Sequence, residues 1–199
     1  MSTRRIGAED SASRAALLDA AQALMAEHGY AAVTSRKVAA RAGLKPQLVH
    51  YYFRTMDDLF LALLRRGAER NLERQARALA SPQPLWALWA LSTESSGTAL
   101  TVEFAALANH RKTIKADIAG YAETFRRRQL EALTEVLAGY GVAPSQTPYV
   151  ALVALFNAIS QVITMEEDLG VDLGHAELRA LVEHHLTELE GPRADILPG

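Results

Sequence analysis

The residues with the clearest chemical potential lie in the segment SRKVAARAGLKPQLVHYYF, residues 35–53. It joins two apolar-periodic runs through a glycine and a proline, and its remaining positions are largely cationic or aromatic. Lys45 directly precedes Pro46, a residue suited to the first turn of a helix, so Lys45 would occupy the N-cap. Ser, Thr, Asp and Asn are the preferred N-caps, and a cation there adds to the positive helix end. This choice is favourable if a phosphate group binds beside it.

Catalytic and metal-binding chemistry has little support in the sequence. The chain has no cysteine, which excludes disulfides, thiolate metal sites and Cys nucleophiles. His184 and His185 lie beside Glu183 and Glu188, but adjacent helical residues point about 100° apart and are poor partners for one metal ion. No HExxH, P-loop, GxGxxG or GxSxG motif is present. We therefore expect no enzyme activity, no catalytic residue, no metal site and no cofactor.

Charge is distributed unevenly along the 199 residues, although the net charge is only −2. Residues 1–66 contain ten Lys/Arg and six Asp/Glu, so they carry +4 and the remainder must carry −6. A cationic N-terminal third on an acidic body predicts a polyanionic partner for the first part alone.

Composition also indicates the compartment. Hydrophobic residues make up 49% of the chain, enough to bury a core. The absence of cysteine fits a reducing cytosol, and the first residues do not resemble a signal peptide. The longest apolar stretches are interrupted by polar groups well short of a membrane span. We expect a soluble, cytoplasmic protein with no membrane partner.

Helical periodicity runs through almost the whole chain, and strand alternation is almost absent. The sequence therefore predicts an all-α fold of about nine helices. The first would be capped by Ser11 or Ser13 and end at Gly29, and Thr55 with Asp58 resembles a capping box opening the fourth. Gly97 would separate a tryptophan-bearing helix after Pro84 from the next one. The other predicted helices cover residues 35–42, 46–52, 112–138, 149–165 and 175–189.

The short helices at 35–42 and 46–52 have the anatomy of a helix-turn-helix, because Gly43 supplies the positive φ that a tight turn needs. The segment AEHGYAAVTSRKVAARAGLKPQLVHYYFRTMDDLF resembles the N-terminal DNA-binding domain of the TetR family of transcription regulators. The similarity covers about residues 11–66 and rests on Gly29-Tyr30, Thr34, the turn from Val38 to Gly43, and Tyr51-Tyr52-Phe53. Three positions depart from the family pattern: His50 replaces Tyr, Arg54 replaces Pro, and Met56 replaces a phosphate-contacting Lys.

The resemblance implies that the second short helix enters the major groove of a DNA operator. Gln47 and Lys45 are the candidates for reading base edges, since Gln pairs with adenine and Lys approaches guanine. Phosphate contacts, which set register on the duplex, are expected from the remaining candidates: Thr34, Arg36, His50, Tyr51 and Arg54.

Beyond residue 70 the sequence offers aromatic residues on separate helices and a few polar residues in apolar surroundings. Core packing explains such residues first, but they could also line a cavity for a small, mostly apolar effector. Asn157 and Gln161 share one face of an apolar helix, so burial would oblige each to find a partner. The candidate ligand residues are Trp86, Trp89, Glu103, Phe104, His110, Tyr121, Phe125, Phe156, Asn157 and Gln161.

The predicted organisation is an N-terminal arm and helix-turn-helix domain (1–54), an effector-binding and dimerisation domain (55–191), and a tail (192–199). By resemblance, the helices near 149–165 and 175–189 form a homodimer. The resulting hypothesis is a ligand-responsive regulator, more specifically a repressor, that binds a pseudo-palindromic operator as a dimer. The alternative is an all-α small-molecule carrier or helical adaptor without specific DNA binding, and an all-α enzyme comes third.

Overall fold

A computed structural model describes residues 11–93, 95–145 and 148–194, without the side chains of residues 95–99 and 168. Within this part the chain forms nine α-helices, one 3₁₀ turn at Tyr30–Ala32 and no strand, so the all-α prediction is confirmed. The predicted N-terminal arm and the end of the tail lie outside the described residues. The helices are α1 (Ala12–His28), α2 (Ser35–Arg41), α3 (Pro46–Tyr52), α4 (Met56–Leu79), α5 (Pro84–Ser92), α6 (Ser95–His110), α7 (Lys112–Gly139), α8 (Tyr149–Asp168) and α9 (His175–Glu190).

Local sequence features explain where α1, α3 and α4 begin. The Ser11 hydroxyl accepts the Arg14 N–H at 3.1 Å and starts α1. Thr55 and Asp58 form the predicted capping box before α4: the Thr55 N–H donates to Asp58 Oδ2 at 2.9 Å, and the Asp58 N–H donates to Thr55 Oγ1 at 3.1 Å. Pro46 occupies the first turn of α3, as expected for a residue without an N–H.

The break between α5 and α6 differs from the sequence-based expectation. Gly97 lies inside α6, and α5 already ends at Ser92. The Ser92 and Thr93 hydroxyls both donate to the Trp89 carbonyl, at 2.9 and 3.0 Å, and so satisfy an acceptor at the end of α5. The boundary therefore lies at Ser92 and Thr93, and Gly97 does not separate the two helices.

The chain divides into two compact units, and neither is continuous in sequence. Unit 1 consists of residues 1–69 and 99–121, and unit 2 consists of residues 70–98 and 122–199. The chain passes from one unit to the other within α4, α6 and α7. The division concerns packing, and the predicted functional boundary between residues 54 and 55 stays a prediction.

Unit 1 packs α1, α2, α3 and the start of α4 around one apolar core. Leu17, Met25, Val38, Val49 and Phe60 are among its fully buried side chains. The later segment contributes three further members of the same core: Phe104, Leu107 and Ile114. The core of the helix-turn-helix is therefore completed by residues that lie about 50 positions further along the chain.

Unit 2 has its own core, and the C-terminal end of α9 is fastened to the beginning of α5. Glu190 accepts hydrogen bonds from the Leu85 N–H at 2.8 Å, the Trp86 N–H at 3.0 Å and the Tyr140 hydroxyl at 2.7 Å. The first two donors belong to the unsatisfied N–H groups at the start of α5. Glu190 thus caps a helix from about 100 residues away.

Helix α8 is longer and more apolar than expected from the sequence. Residues Tyr149–Glu167 are long and apolar enough by length and composition to cross a membrane, so the expectation of only shorter apolar stretches is wrong. Just 28% of that window is buried inside the chain. The Ser160 and Thr164 hydroxyls donate to carbonyls of α8 itself, which satisfies both polar groups locally.

Candidate functional site

The turn between α2 and α3 has the geometry predicted for a helix-turn-helix. Gly43 has a φ of 67°, in the left-handed region that glycine adopts without steric cost. The Leu44 N–H donates to the Ala39 carbonyl at 2.9 Å, which closes the end of α2. Val38, Ala39 and Val49 are buried beneath the two helices. This packing fixes the angle at which the outer surface of α3 is presented.

All seven residues predicted to contact DNA lie on the exposed surface of α2, α3 and their flanks. On α3, Gln47, His50 and Tyr51 follow helical spacing and share one exposed face, and Arg54 is exposed two residues after the helix ends. By contrast, Val49 is buried and Tyr52 is half-buried. We call the following set the basic face: Thr34, Arg36, Lys45, Gln47, His50, Tyr51 and Arg54.

Positive charge dominates the basic face because residues 34–54 include five Lys/Arg and no Asp/Glu. One of these cations, Arg41, is engaged with Glu27 through two hydrogen bonds. These bonds lower the pKa of Glu27 and raise the pKa of Arg41. The ion pairs found among the described residues include none to Arg36, Lys45 or Arg54, so these charges are available to an anionic partner.

The two helix N-caps on this face differ. The Thr34 hydroxyl accepts the Lys37 N–H at a long 3.4 Å. Lys45 occupies the N-cap of α3 with φ −78° and ψ 141°, and its side chain makes no capping hydrogen bond. The sequence-based prediction that a lysine stands at this N-cap is therefore confirmed, while its role towards phosphate stays a prediction.

Six of the ten candidate ligand residues lie in unit 2. Trp86 and Trp89 are buried, and the Trp86 indole N–H donates to the Gly191 carbonyl at 3.1 Å. Trp89 and Phe156 meet edge to face, with ring centroids 5.5 Å apart. Phe125 is half-buried on α7. These contacts place an aromatic cluster where α5 and α8 pack together.

Asn157 has a partner that the sequence analysis missed. Its amide donates to Gln129 Oε1 at 2.8 Å, and the Gln129 amide donates back to Asn157 Oδ1 at 3.3 Å. Gln129 is nearly fully buried on α7, whereas Gln161, the other predicted polar residue, is exposed. The only sequence signal for Gln129 was a polar residue on the apolar face of α7, in register with Phe125 and Leu133.

The other four candidates lie in unit 1. The Glu103 carboxylate accepts the Tyr30 N–H at 2.6 Å, and His110 stacks on the Tyr30 ring with centroids 6.0 Å apart. Phe104 belongs to the unit 1 core, and the Tyr121 hydroxyl accepts a hydrogen bond from Arg65 at 2.8 Å. The ten candidates are thus divided between two packing units, and their contact with a ligand stays a prediction.

An exposed apolar stripe runs along α8. Leu155 is 58% exposed and Val162 is 38% exposed. Ala151, Ala158 and Met165 are exposed at positions that complete the same helical spacing. On α9, Leu181 is 53% exposed. These are the two helices from which a homodimer was predicted.

The histidine pair on α9 contacts a glutamate of the same helix. His184 and His185 both approach Glu188, with nitrogen–oxygen distances of 3.6 and 3.0 Å. The hydrogen bond from His185 and the neighbouring His184 hold the pKa of Glu188 below its usual value. Across the described ranges, no group of three or more His, Cys, Asp or Glu residues could hold a metal ion.

Comparison with known proteins connects this geometry to a family. Residues 17–63 match the family model described as bacterial regulatory proteins, tetR family. The HTH-type transcriptional regulator BetI of Rhizobium meliloti (strain 1021) is 30% identical over 128 residues. That alignment spans 63% of this chain and 58% of the relative, so the match covers little more than half of the curated protein.

Solved structures share the fold over nearly the whole chain. A transcriptional regulator from Rhodococcus sp. Rha1 has a TM-score of 0.71 at 22% identity, covering 94% of this chain and 100% of its own. The fatty acid degradation regulator FadR from Bacillus halodurans has a TM-score of 0.69 at 18% identity, covering 92% and 97%. The multidrug binding protein EbrR complexed with ethidium has a TM-score of 0.61 at 24% identity, covering 89% and 99%. The part of the chain that is similar to the tetR family of bacterial regulatory proteins, residues 17–63, contains both helices of the helix-turn-helix.

Proposed function

We propose that this protein is a cytoplasmic, homodimeric transcriptional repressor that binds a pseudo-palindromic operator and is released by a small, mostly apolar effector. The observation that carries the proposal is the basic face. It presents cations, an amide and an aromatic ring to solvent from α2, α3 and their flanks, while the opposite faces of the two helices are buried in the core. The TetR-family domain over residues 17–63 coincides with it.

DNA recognition follows from the position of each residue on the basic face. Gln47 lies in the first turn of α3, where a side chain that enters the major groove can pair with adenine N6 and N7. Lys45 precedes it and can approach guanine or a phosphate. Arg36 precedes α3 in the sequence and Arg54 follows it. Both can contact DNA phosphates, which fix the register of the protein on the duplex.

Dimerisation is supported by the exposed stripe on α8. This exposed aliphatic surface has no partner within the described part of the chain. Its burial against a second protein surface would be favourable, because removal of apolar area from water lowers the free energy. Ala151 and Ala158 alternate with Leu155 and Val162, so a second helix can approach closely between the larger side chains. We expect α8 and α9 to pair with the same helices of a second copy.

The effector is assigned to unit 2 on chemical grounds. Trp89 and Phe156 offer aromatic surface, and the Gln129–Asn157 pair offers amide groups in the same unit. Among the solved structures with this fold, EbrR was determined in complex with ethidium, a planar aromatic cation, and FadR is a regulator of fatty acid degradation. Both names support an effector with a large hydrocarbon surface. Helix α4 continues from unit 1 into unit 2, and an effector-dependent shift of α4 would change the spacing of the two α3 helices.

The test is selection of bound fragments from a random duplex pool, followed by measurement with Gln47→Ala. We expect one palindrome with half-sites about one helical turn apart. Gln47→Ala should relax preference at one base pair of each half-site by about 1–3 kcal/mol. Asn71→Ala removes an exposed amide from α4 and serves as the matched control.

Two outcomes would overturn the proposal. Recovery of no motif from the unaltered protein would remove the regulator function and favour the carrier, for which ligands of unit 2 would be sought directly. A motif whose base preferences are the same for Gln47→Ala and Asn71→Ala would remove α3 as the reading element.

A further inference from the structure

The 3₁₀ turn between α1 and α2 is held by a carboxylate from a distant part of the chain. The Tyr30 N–H, at the start of that turn, donates to Glu103 Oε2 at 2.6 Å across 73 residues of sequence. Two helical turns after Glu103 on α6, His110 stacks on the Tyr30 ring. Phe104 and Leu107 lie between these contacts and are buried in the same core. Helix α6 therefore engages both the backbone and the side chain of Tyr30.

Gly29 makes the close approach of Glu103 possible. Its φ of 76° lies in the region that favours glycine. A Cβ at this position would also lie 3.3 Å from Glu103 Oε2, tighter than most Cβ contacts. The backbone conformation and the position of the carboxylate thus both favour glycine directly before Tyr30.

The other end of the helix-turn-helix is held by the same distant segment. Asp57, in the first turn of α4, accepts hydrogen bonds from Arg111 and from the Thr113 hydroxyl, the latter at 2.9 Å. The Arg111 guanidinium also lies over the Phe60 ring, 5.3 Å from its centroid. Since Tyr30 precedes residue 34 and Asp57 follows residue 54, the two contacts bracket the whole basic face.

We propose that Glu103 is a positioning residue for DNA reading: it fixes the 3₁₀ turn that leads into Thr34 and α2, while Arg111 and Thr113 fix the exit at Asp57. This rests on the proposed function, because it assigns the residues that regulate the basic face. The physical reason is that a backbone N–H held by a charged acceptor is more tightly constrained than one hydrogen-bonded to water. Release of Glu103 lets the turn, and the N-terminus of α2 with it, sample other positions.

The experiment compares Glu103→Ala with Glu103→Gln and with Glu131→Ala, an exposed glutamate on α7 that serves as the control. Two quantities are measured: hydrogen exchange of the Tyr30 amide without DNA, and affinity for the selected operator. Glu103→Ala should accelerate Tyr30 exchange and weaken operator binding, each by about tenfold, while amides in the middle of α1 keep their protection. Glu103→Gln retains an acceptor oxygen and should restore most of both.

Each failure has its own signature. If Glu103→Ala accelerates exchange of the Tyr30 amide but binds the operator like the unaltered protein, Glu103 holds the 3₁₀ turn without positioning the basic face. If all α1 amides lose protection and Glu103→Gln gives no rescue, Glu103 contributes stability alone. If the unaltered protein selects no DNA motif, the regulator function fails first, and the positioning role fails with it.

Discussion

Removing the positive charge of Arg54 should reduce the salt dependence of operator binding by an amount that reports the number of phosphate contacts. Arg54 is exposed at the end of α3, and residues 34–54 contain no acid to compensate it. The predicted contacts include three cations in each protomer, Arg36, Lys45 and Arg54, and therefore six in a dimer. Each neutralised phosphate contributes about −0.9 to the slope of log Kobs against log salt, so six give about −5.4.

The consequences of that slope are large enough to measure directly. Raising monovalent salt from about 50 to about 200 mM should weaken binding of the unaltered protein by roughly three orders of magnitude. Arg54→Ala removes one contact from each protomer and should bring the slope to about −3.6, a change of about 1.8. Fluorescence anisotropy with the selected duplex, titrated at several salt concentrations, gives both slopes.

The control is Arg128→Ala, which removes an exposed arginine of α7 in unit 2. It should leave the slope unchanged. Equal slopes for Arg54→Ala and the unaltered protein would refute the phosphate contact. A change of about 0.9 would mean that only one Arg54 contacts DNA in each complex, which contradicts binding by a symmetric dimer.

Three further outcomes follow from unit 2. Glu190→Ala leaves two N-terminal amides of α5 and the Tyr140 hydroxyl without their acceptor, and we expect urea unfolding to show a loss of about 2–4 kcal/mol, with Glu131→Ala near zero. Burial and the hydrogen bond to Glu190 raise the pKa of Tyr140 to about 12 from 10.0. Since the folded state favours the neutral phenol, Tyr140 contributes its full stabilisation of the fold below pH 10, and this contribution is lost as the pH rises to about 12. The urea midpoint of Tyr140→Phe should therefore decline less than that of the unaltered protein between these two pH values. Leu155→Asp places a charge in the α8 stripe and should convert a dimer into monomers in sedimentation velocity, whereas Ala119→Asp on α7 should not; unchanged mass for Leu155→Asp would exclude α8 from the interface.

Local sequence determined the helix-turn-helix well. The bounds of α3 agree with the expected 46–52 because Pro46 fixes the first turn, and the Thr55–Asp58 box is present because three-residue spacing brings each side chain to the other's N–H. The ends of α8 and α9 were underestimated by three residues and by one residue, a common error where charged residues continue an amphipathic helix.

Contacts between residues far apart in the chain could not be predicted in the same way. Periodicity gives the inward face of a helix but not the helix that it faces, so the membership of Phe104 in the helix-turn-helix core was not foreseen. Glu103 and Gln129 show the same limit for polar groups. A half-buried glutamate or a buried glutamine signals that a partner exists, but only the fold shows that the partners are the Tyr30 N–H and Asn157.

The discontinuity of unit 1 has a consequence for protein synthesis and for the construction of chimaeric regulators. On the ribosome, α1 to α3 are completed long before Phe104, Leu107 and Ile114 emerge, so the apolar core beneath the helix-turn-helix stays open until about residue 114 has left the exit tunnel. A graft that transfers residues 1–66 onto a different body would leave that core open permanently. A graft that also transfers residues 99–121 would close it and bring along its own supporting contacts.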